Sequence, residues 1–218
     1  MNRQALLAGL AVGVVACGGA ATPDPAASVV TIASSGCRPT PNVALGVVVG
    51  DGLVVTVAHA VAGEEEIAVS FDGRQHAGVV VAVDTVLDAA VVRVDRLGAD
   101  AVRRRPYEDG ETVSMATADD DGEIVARPID VSGRATIRTS DIYRDGAHER
   151  PALDIVADVR GGDSGASILG DDGRLLALVW ATSRRTEDRA WALPIEAVDA
   201  LIEAAASGEP TAPVPCSR

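Results

Sequence analysis

Short, valine-rich apolar runs alternate with glycine and aspartate turns along most of this chain. The first two runs, 43–49 and 53–57, are separated by Gly50-Asp51-Gly52, and an Asp-Gly pair between apolar runs is typical of a β-hairpin. The same pattern predicts further strands at 66–71, 74–84, 88–94, 111–118, 123–137 (one or two strands, with a break at 132–133), 151–159, 166–169, 174–182 and 189–193. Because valine also favours strands over helices, we predict an all-β fold.

Two interruptions of this pattern indicate how the chain is organised. Arg103-Arg104-Arg105-Pro106 breaks it near the middle and predicts a linker between two β units. After the last strand, Pro194 suits the first turn of a helix, and 195–206 has helical spacing and helix-forming residues. The 218 residues are enough for one large all-β domain or for two small barrels.

The composition excludes some partners and cofactors. Apolar residues make up 47% of the chain and aromatic residues only 2%, so the core has to consist of valine, alanine, leucine and isoleucine. The formal net charge is −13, which argues against nucleic acid as a partner because its phosphates would be repelled. Asp119-Asp120-Asp121-Gly122 suggests calcium, but it lacks the spaced ligands of an EF-hand loop and is interpreted as a turn. No metal and no organic cofactor are predicted.

The first residues have the features of an export signal. Residues 5–16 form an apolar run that is too short to span a bilayer, which takes about 20 apolar residues. Val14-Val15-Ala16-Cys17 resembles a bacterial lipoprotein cleavage box, after which the cysteine becomes the acylated first residue. We therefore expect a signal peptide at 1–16, a lipid anchor on Cys17, a flexible tether at 17–28, and a protein that faces the periplasm from the cell envelope. An ordinary signal peptide and a secreted protein are the alternative.

The three cysteines fit this interpretation. If Cys17 carries lipid, Cys37 and Cys216 remain, one near each end of the folded part, with 208–218 as a tail that leads to the second. In an oxidising compartment we expect these two to form a disulfide, and two free thiols are the alternative. In the chain-entropy model, closing a loop of this length stabilises the folded state by about 4–5 kcal/mol.

The segment Arg160-Gly161-Gly162-Asp163-Ser164-Gly165 places one serine on a glycine-flanked bend. Gly162 and Gly165 allow a tight turn and the close approach of another molecule, so the Ser164 hydroxyl is expected to be exposed. The amides of Gly162 and Ser164 could then point the same way and form an oxyanion hole. The alternative is a simple β-turn, since glycine, aspartate and serine are ordinary turn residues.

Two earlier segments offer a base and an acid. His59 follows the apolar run 53–57, and a neutral imidazole suits the removal of a serine proton, although a core histidine is the alternative there. Asp88 begins the strand predicted at 88–94, where an aspartate is usually a solvated end, but a carboxylate bonded to a histidine Nδ1–H would fix its tautomer. No comparable setting surrounds the other nearby candidates, His76, His148, Asp84 and Asp95.

Together these segments resemble the trypsin-like, chymotrypsin-fold serine proteases. The resemblance is carried by Gly162-Asp163-Ser164-Gly165, Thr56-Val57-Ala58-His59 and the run from Asp88 to Val94, in the chain order of chymotrypsin. The His59 segment also resembles HtrA-like proteases. Over about residues 30–205, the chain resembles the periplasmic acid-resistance serine proteases of actinobacteria, through the same segments and through Gly36-Cys37-Arg38, Ser140-Asp141-Ile142-Tyr143 and Ala157-Asp158-Val159.

The resemblance implies a protease domain at 29–207. It implies two six-stranded antiparallel β-barrels, here about 29–102 and about 107–193, and a C-terminal helix at 194–206. It also implies a His59, Asp88 and Ser164 triad with the Gly162 and Ser164 amides as the oxyanion hole.

The resemblance also suggests how substrate is held. Val179-Trp180-Ala181 corresponds to the strand that pairs with the substrate backbone. Asp158 lies six residues before Ser164, the offset of the primary specificity pocket, although a solvated or paired aspartate is slightly favoured. No activation segment is present to form a new N-terminus, so Asp163 is expected to be held by an arginine or by backbone donors.

The resulting expectation is an exported serine endopeptidase that hydrolyses peptide bonds through an acyl-enzyme. Its partners are expected to be peptide or protein substrates and, through Cys17, a membrane, with the chain itself a monomer. The main alternative is a non-catalytic peptide-binding module of the cell envelope with the same fold. An esterase that uses the same triad is a third possibility.

Overall fold

In a computed structural model, the described residues are 24, 27–208 and 213–217. The predicted signal peptide at 1–16, Cys17 and most of the tether at 17–28 lie outside them. Within the described ranges, no helix is long and apolar enough to cross a membrane.

The first six strands form a closed antiparallel barrel, barrel 1. Its strand order is β1-β2-β3-β6-β5-β4, and pairing of β1 with β4 closes it. The strands are β1 (Val29–Ser35), β2 (Asn42–Gly50), β3 (Leu53–Thr56), β4 (Glu66–Phe71), β5 (Arg74–Asp84) and β6 (Ala89–Val94). A single helical turn, α1 (Ala58–Val61), leaves the end of β3.

The last six strands form barrel 2, which repeats the same arrangement. Its order is β10-β11-β12-β9-β8-β7, closed by the pairing of β10 with β7. The strands are β7 (Val113–Ala118), β8 (Ile124–Thr139), β9 (His148–Val156), β10 (Ser167–Gly170), β11 (Leu175–Thr182) and β12 (Arg189–Pro194). The prediction of an all-β fold with two six-stranded antiparallel barrels is confirmed.

Four elements differ most from the sequence pattern. Strand β1, Val29–Ser35, lies before the first predicted strand and was missed. The 123–137 region is one continuous strand, β8, because a register shift between Val131 and Gly133 absorbs the predicted break. β9 begins at His148, before the predicted start. The C-terminal helix is split into a 3-10 turn, Ile195–Val198, and the helix α2 (Asp199–Ser207).

The core is aliphatic, as the low aromatic content requires. Its largest fully buried side chains are leucine, isoleucine and valine from both barrels, among them Ile32, Leu45, Leu153, Ile168 and Leu193. Burial of such side chains supplies the main stabilising free energy, about 25 cal/mol for each Å² of apolar surface removed from water.

The C-terminal tail returns to barrel 1. Cys216 forms a disulfide with Cys37, 179 residues earlier in the chain. The next residue, Ser217, is buried and donates its hydroxyl to the His59 carbonyl at 2.8 Å. The tail therefore contacts the short helix α1, which carries a candidate catalytic residue.

Candidate active site

The Ser164 loop connects β9 to β10 and packs against barrel 1. Gly162 and Gly165 both have positive φ values, +102° and +85°, which side chains other than glycine rarely adopt. A Cβ on Gly165 would lie 2.0 Å from the Leu45 carbonyl oxygen. The Leu45 amide in turn donates to the Ser164 carbonyl at 2.7 Å. Strand β2 therefore fixes the backbone that carries the serine.

Two amides of this loop, those of Asp163 and Gly165, already have hydrogen-bond acceptors. The Asp163 amide donates to the Arg160 carbonyl at 3.1 Å, and the Gly165 amide donates to the Val179 carbonyl at 2.7 Å. The amides of Gly162 and Ser164 have no hydrogen-bond partner among the described residues. Two free amides on either side of the aspartate are what an oxyanion hole requires.

The Asp163 carboxylate links the serine loop to strand β7. It accepts the Arg160 amide at 2.8 Å and the Thr117 hydroxyl, and the residue is only 9% exposed. The Arg160 guanidinium pairs with Asp158 instead, at 2.8 Å. Of the two expectations for Asp163, the backbone donor is the one present, and a threonine hydroxyl joins it.

His59 lies on α1 with its ring between an acid and a hydroxyl. Its Nδ1 is 2.8 Å from Asp88 Oδ2, and its Nε2 is 3.3 Å from Ser164 Oγ. The side chain is 33% exposed, so one edge of the ring faces solvent. With the proton on Nδ1 donated to Asp88, Nε2 is free to accept the serine proton.

Asp88 occupies the bend that precedes β6, with a positive φ of +61°. Its Oδ1 accepts the His59 amide at 2.8 Å, and its carbonyl accepts the Ala58 amide at 3.1 Å. The carboxylate thus bonds both the backbone and the ring of the same histidine. A cation, Arg150, lies near the same oxygen that contacts the His59 ring, with Nη1 3.7 Å from Oδ2.

The predicted substrate-binding residues lie in two separate places. Val179 and Trp180 are buried and Ala181 is half-buried on β11, next to the serine loop. Asp158 is 64% exposed at its side chain and pairs with Arg160. It lines an open cleft of about 520 Å³ together with the acidic turn at 119–121. The substrate-binding assignments stay predictions.

The other candidates are not brought to the group formed by Ser164, His59 and Asp88. His76 on β5 and His148 on β9 are half-buried, and neither is hydrogen-bonded to a member of that group in the described part of the chain. Asp119 accepts the amides of Asp121 and Glu123, both at 3.0 Å, which makes the acidic segment a turn. Among the described residues, no group of histidine, cysteine and acidic side chains is arranged to hold a metal ion.

Two residues of the site were missed at the level of sequence. Thr117 is on β7, and its contact with Asp163 spans 46 residues, so no local pattern points to it. Arg150 had a weak signal. It occupies an inward position in the alternation of β9, where Glu149 and Pro151 are exposed and Ala152 is buried. An arginine at an inward position requires a partner.

Comparison with known families gives the identity of the domain. The profile of the trypsin-like peptidase domain matches residues 44–178, a stretch that includes His59, Asp88 and Ser164. The chain belongs to the trypsin-like peptidase family. This family consists of serine-type peptidases, and the resemblance found in the sequence motifs is confirmed.

Named relatives agree with this assignment. The chain is 28% identical over 141 residues to serine protease Rv3671c of Mycobacterium tuberculosis, which covers 63% of this chain and 36% of that protein. This trypsin-like peptidase therefore spans about a third of the length of the curated relatives it matches.

Solved structures show the same fold. The active form of the Rv3671c protease has a TM-score of 0.81 and 25% identity, with 98% of this chain and 100% of that chain covered. The HtrA-type protease AlgW with a tripeptide has a TM-score of 0.66 at 19% identity, with 84% and 63% covered. The serine endoprotease from Yersinia pestis has a TM-score of 0.65 at 19% identity, with 83% and 63% covered.

Proposed function

We propose that this trypsin-like peptidase is a serine endopeptidase that uses Ser164, His59 and Asp88 as its triad. The observation that carries the proposal is the ring of His59, which lies 2.8 Å from Asp88 and 3.3 Å from Ser164. Each ring nitrogen contacts the group that the proposed proton transfer requires. The acid bonds Nδ1, and the nucleophile faces Nε2.

In the proposed reaction, Ser164 Oγ attacks the scissile carbonyl carbon and His59 Nε2 takes the hydroxyl proton. The tetrahedral intermediate collapses when the imidazolium gives that proton to the leaving amine, which leaves an acyl-enzyme. Water then repeats the two steps, with His59 again as base and then as acid, and Ser164 is regenerated. Asp88 stays ionised throughout and stabilises the imidazolium.

The negative charge that develops on the carbonyl oxygen needs donors already in place. The amides of Gly162 and Ser164 are free among the described residues, and the loop that carries them is held by Asp163 and by the contact of Gly165 with Leu45. Such preorganised donors are typically worth about 10²–10³ in kcat each.

The substrate backbone is proposed to extend β11. The edge of β11 that faces β10 pairs with it from Leu175 to Leu178, and the next residue, Val179, is hydrogen-bonded to Gly165 and Ala166. Beyond Val179 this edge has no strand partner among the described residues, so Ala181 can pair with an extended peptide. The AlgW structure, which contains a tripeptide, supports a peptide as the ligand class.

We further propose that the chain is exported and anchored through a lipid on Cys17. The disulfide between Cys37 and Cys216 supports an oxidising compartment, because cytosolic proteins rarely retain such bonds. A membrane-attached peptidase with a tether would meet its substrates at the cell envelope.

The peptidase proposal is tested with a fluorophosphonate probe, which reacts only with an activated serine. We expect the wild-type chain to be labelled and Ser164→Ala, which keeps the fold, to remain unlabelled. Peptide cleavage then defines the substrate. A folded wild-type chain that is not labelled anywhere between about pH 5 and pH 8 contradicts the proposal and favours the peptide-binding module.

The anchor is tested separately in a bacterial host fed an alkyne analogue of palmitate. We expect the wild-type chain to carry the analogue and to sediment with membranes, and Cys17→Ser to do neither. If Cys17→Ser still carries the analogue or sediments as the wild type does, the anchor proposal is wrong.

A further inference from the structure

A buried arginine lies behind the triad, and the proposed reaction does not use it. The Arg150 side chain is only 3% exposed. Its guanidinium carbon lies 4.2 Å from the centroid of the Trp180 ring, within the range of a cation–π contact. Removing a charge from water to this extent is strongly unfavourable unless the charge is paired, so the neighbours of Arg150 determine its role.

Two nitrogens of Arg150 donate hydrogen bonds to backbone carbonyls, and the third lies near the Asp88 carboxylate. Nε and Nη2 both donate to the Val86 carbonyl, and Nη2 also reaches the Ser140 carbonyl at 3.4 Å. Nη1 has no hydrogen-bond partner in the described part of the chain. It lies 3.7 Å from Asp88 Oδ2, the same oxygen that accepts the His59 ring proton.

The other carboxylates near Arg150 are committed to turns. Asp84 Oδ1 accepts the amides of Val86 and Leu87, and Asp141 Oδ1 accepts two amides of its own turn. Burial lowers the pKa of Arg150, whereas the charges of Asp88, Asp84 and Asp141 raise it. A guanidinium stays protonated at any pH at which the protein is folded, so the charge facing Asp88 is permanent.

We propose that Arg150 is a positioning residue of the triad, whose fixed charge holds the Asp88 carboxylate beside His59 and opposes formation of the imidazolium. This inference rests on the proposed peptidase function. A fixed cation behind the carboxylate opposes a second positive charge on the imidazole, because like charges raise each other's free energy in a poorly solvated site. Without Arg150, no other fixed cation would balance the charge of Asp88, which would then favour the imidazolium, a form of His59 that cannot act as a base. Loss of the repulsion and loss of this balance therefore both favour the imidazolium.

A purely structural role for Arg150 makes a different prediction. An arginine that only supports Val86 and Trp180 would affect stability and the maximal rate, but not the pH at which activity is lost. Two substitutions separate the roles. Arg150→Lys keeps a charge near Asp88, and Arg150→Gln keeps a donor for the Val86 carbonyl but is neutral.

The test is the dependence of kcat/KM on pH for the wild-type chain, Arg150→Lys and Arg150→Gln. We expect the acidic limb of the kcat/KM profile to lie about half a pH unit to one pH unit higher in Arg150→Gln than in the wild-type chain. At low pH, Arg150→Gln should therefore lose about three- to tenfold more kcat/KM than it loses at the optimum. Arg150→Lys should keep the wild-type limb. Arg134→Gln is the control, because Arg134 also lies over a ring, that of Tyr107 at 5.7 Å, but is partly exposed and contacts no triad residue.

The His59 ring signal in NMR gives a readout that does not need turnover. The chain has three histidines, so the signal is identified by its absence in His59→Ala. In Arg150→Gln we expect its titration midpoint to rise by the same amount as the acidic limb. An unchanged midpoint in Arg150→Gln overturns the role of Arg150, even if the fluorophosphonate test fails and removes the peptidase proposal. If Arg150→Gln does not fold, Arg150→Met, which is neutral and keeps an apolar contact with Trp180, takes its place, and an unchanged limb and midpoint in Arg150→Met overturn the role of the charge.

Discussion

Each barrel contributes one buried aspartate to the site, and the two carboxylates have different neighbours. Asp88, from barrel 1, accepts the His59 amide and the His59 ring, with Arg150 behind it. Asp163, from barrel 2, accepts the Arg160 amide and the Thr117 hydroxyl. Both accept a backbone amide at 2.8 Å, so the difference lies in the second partner.

This difference separates two uses of the same side chain. The partner of Asp88 changes its charge during the proposed reaction, so the carboxylate acts on the chemistry. The partners of Asp163 are neutral and stay so, and the carboxylate therefore acts on the shape of the serine loop. The comparison predicts that equivalent substitutions at the two positions have unequal effects on catalysis.

The largest effect is expected for Asp88→Asn. The amide still accepts the His59 backbone N–H, but its NH₂ group favours the tautomer in which Nε2 carries the proton. We expect kcat/KM to fall by about 10⁴-fold, and the melting temperature to fall as well because the buried Arg150 charge loses the carboxylate beside it. Asp163→Asn, the matched control, should lose no more than about 100-fold. Equal losses at the two positions would remove the distinction between them.

The next largest effect, on stability, is expected for a substitution in the backbone of the serine loop. Gly165→Ala places a Cβ against the Leu45 carbonyl at a positive φ, and we expect a loss of about 3 kcal/mol or more in the free energy of unfolding. Gly161→Ala is the control, because a Cβ on Gly161 would meet no described atom within 4 Å, and it should change stability by less than about 0.5 kcal/mol. Urea unfolding measures both. Similar losses would mean that the contact between the barrels does not fix the loop.

A smaller effect is expected for Thr117→Val, which removes a donor from Asp163 and keeps the side-chain shape. We expect kcat to fall by about tenfold with KM nearly unchanged, because the loop that presents the Gly162 and Ser164 amides relaxes. Thr56→Val is the control. It removes a buried hydroxyl that bonds the Leu45 carbonyl at 2.7 Å and contacts no carboxylate. If both variants keep wild-type kcat, Asp163 does not depend on Thr117.

The sequence was informative where chemistry is local. Hairpins followed from Gly and Asp turns between valine runs, and the segments around His59, Asp88 and Ser164 each carry short-range motifs. The alternation does not specify which strands meet to close a barrel, because the pairing of β1 with β4 joins residues far apart in the chain. That part of the fold came from the resemblance to a family.

The environment of the proposed triad was not predictable from the sequence for the same reason. Arg150 reaches Asp88 across 62 positions of the chain, and Thr117 reaches Asp163 across 46. Such contacts depend on how β9 and β7 pack against loops from other parts of the fold. For Asp158, the offset from Ser164 alone suggested a pocket, whereas the pairing with Arg160 is a short-range contact between opposite charges two residues apart.

The smallest effect, on stability, is expected at a third carboxylate, Glu111. Like Asp88 it lies beside an arginine, but it contacts no group of the proposed reaction. Arg105 donates to both of its oxygens, and this lowers the pKa of Glu111. A carboxyl whose pKa falls on folding stabilises the native state above its unfolded pKa, and this stability is lost as the pH falls through the folded value. We therefore expect Glu111→Gln to lower the free energy of unfolding by about 1 kcal/mol at neutral pH and by almost nothing near pH 3, with kcat unchanged.

Urea unfolding at the two pH values checks the prediction for Glu111. Asp154→Asn is the control, because the partner of Asp154, Arg189, is exposed. A loss that is the same at both pH values would show that the charge of Glu111 is not what stabilises the linker between the barrels.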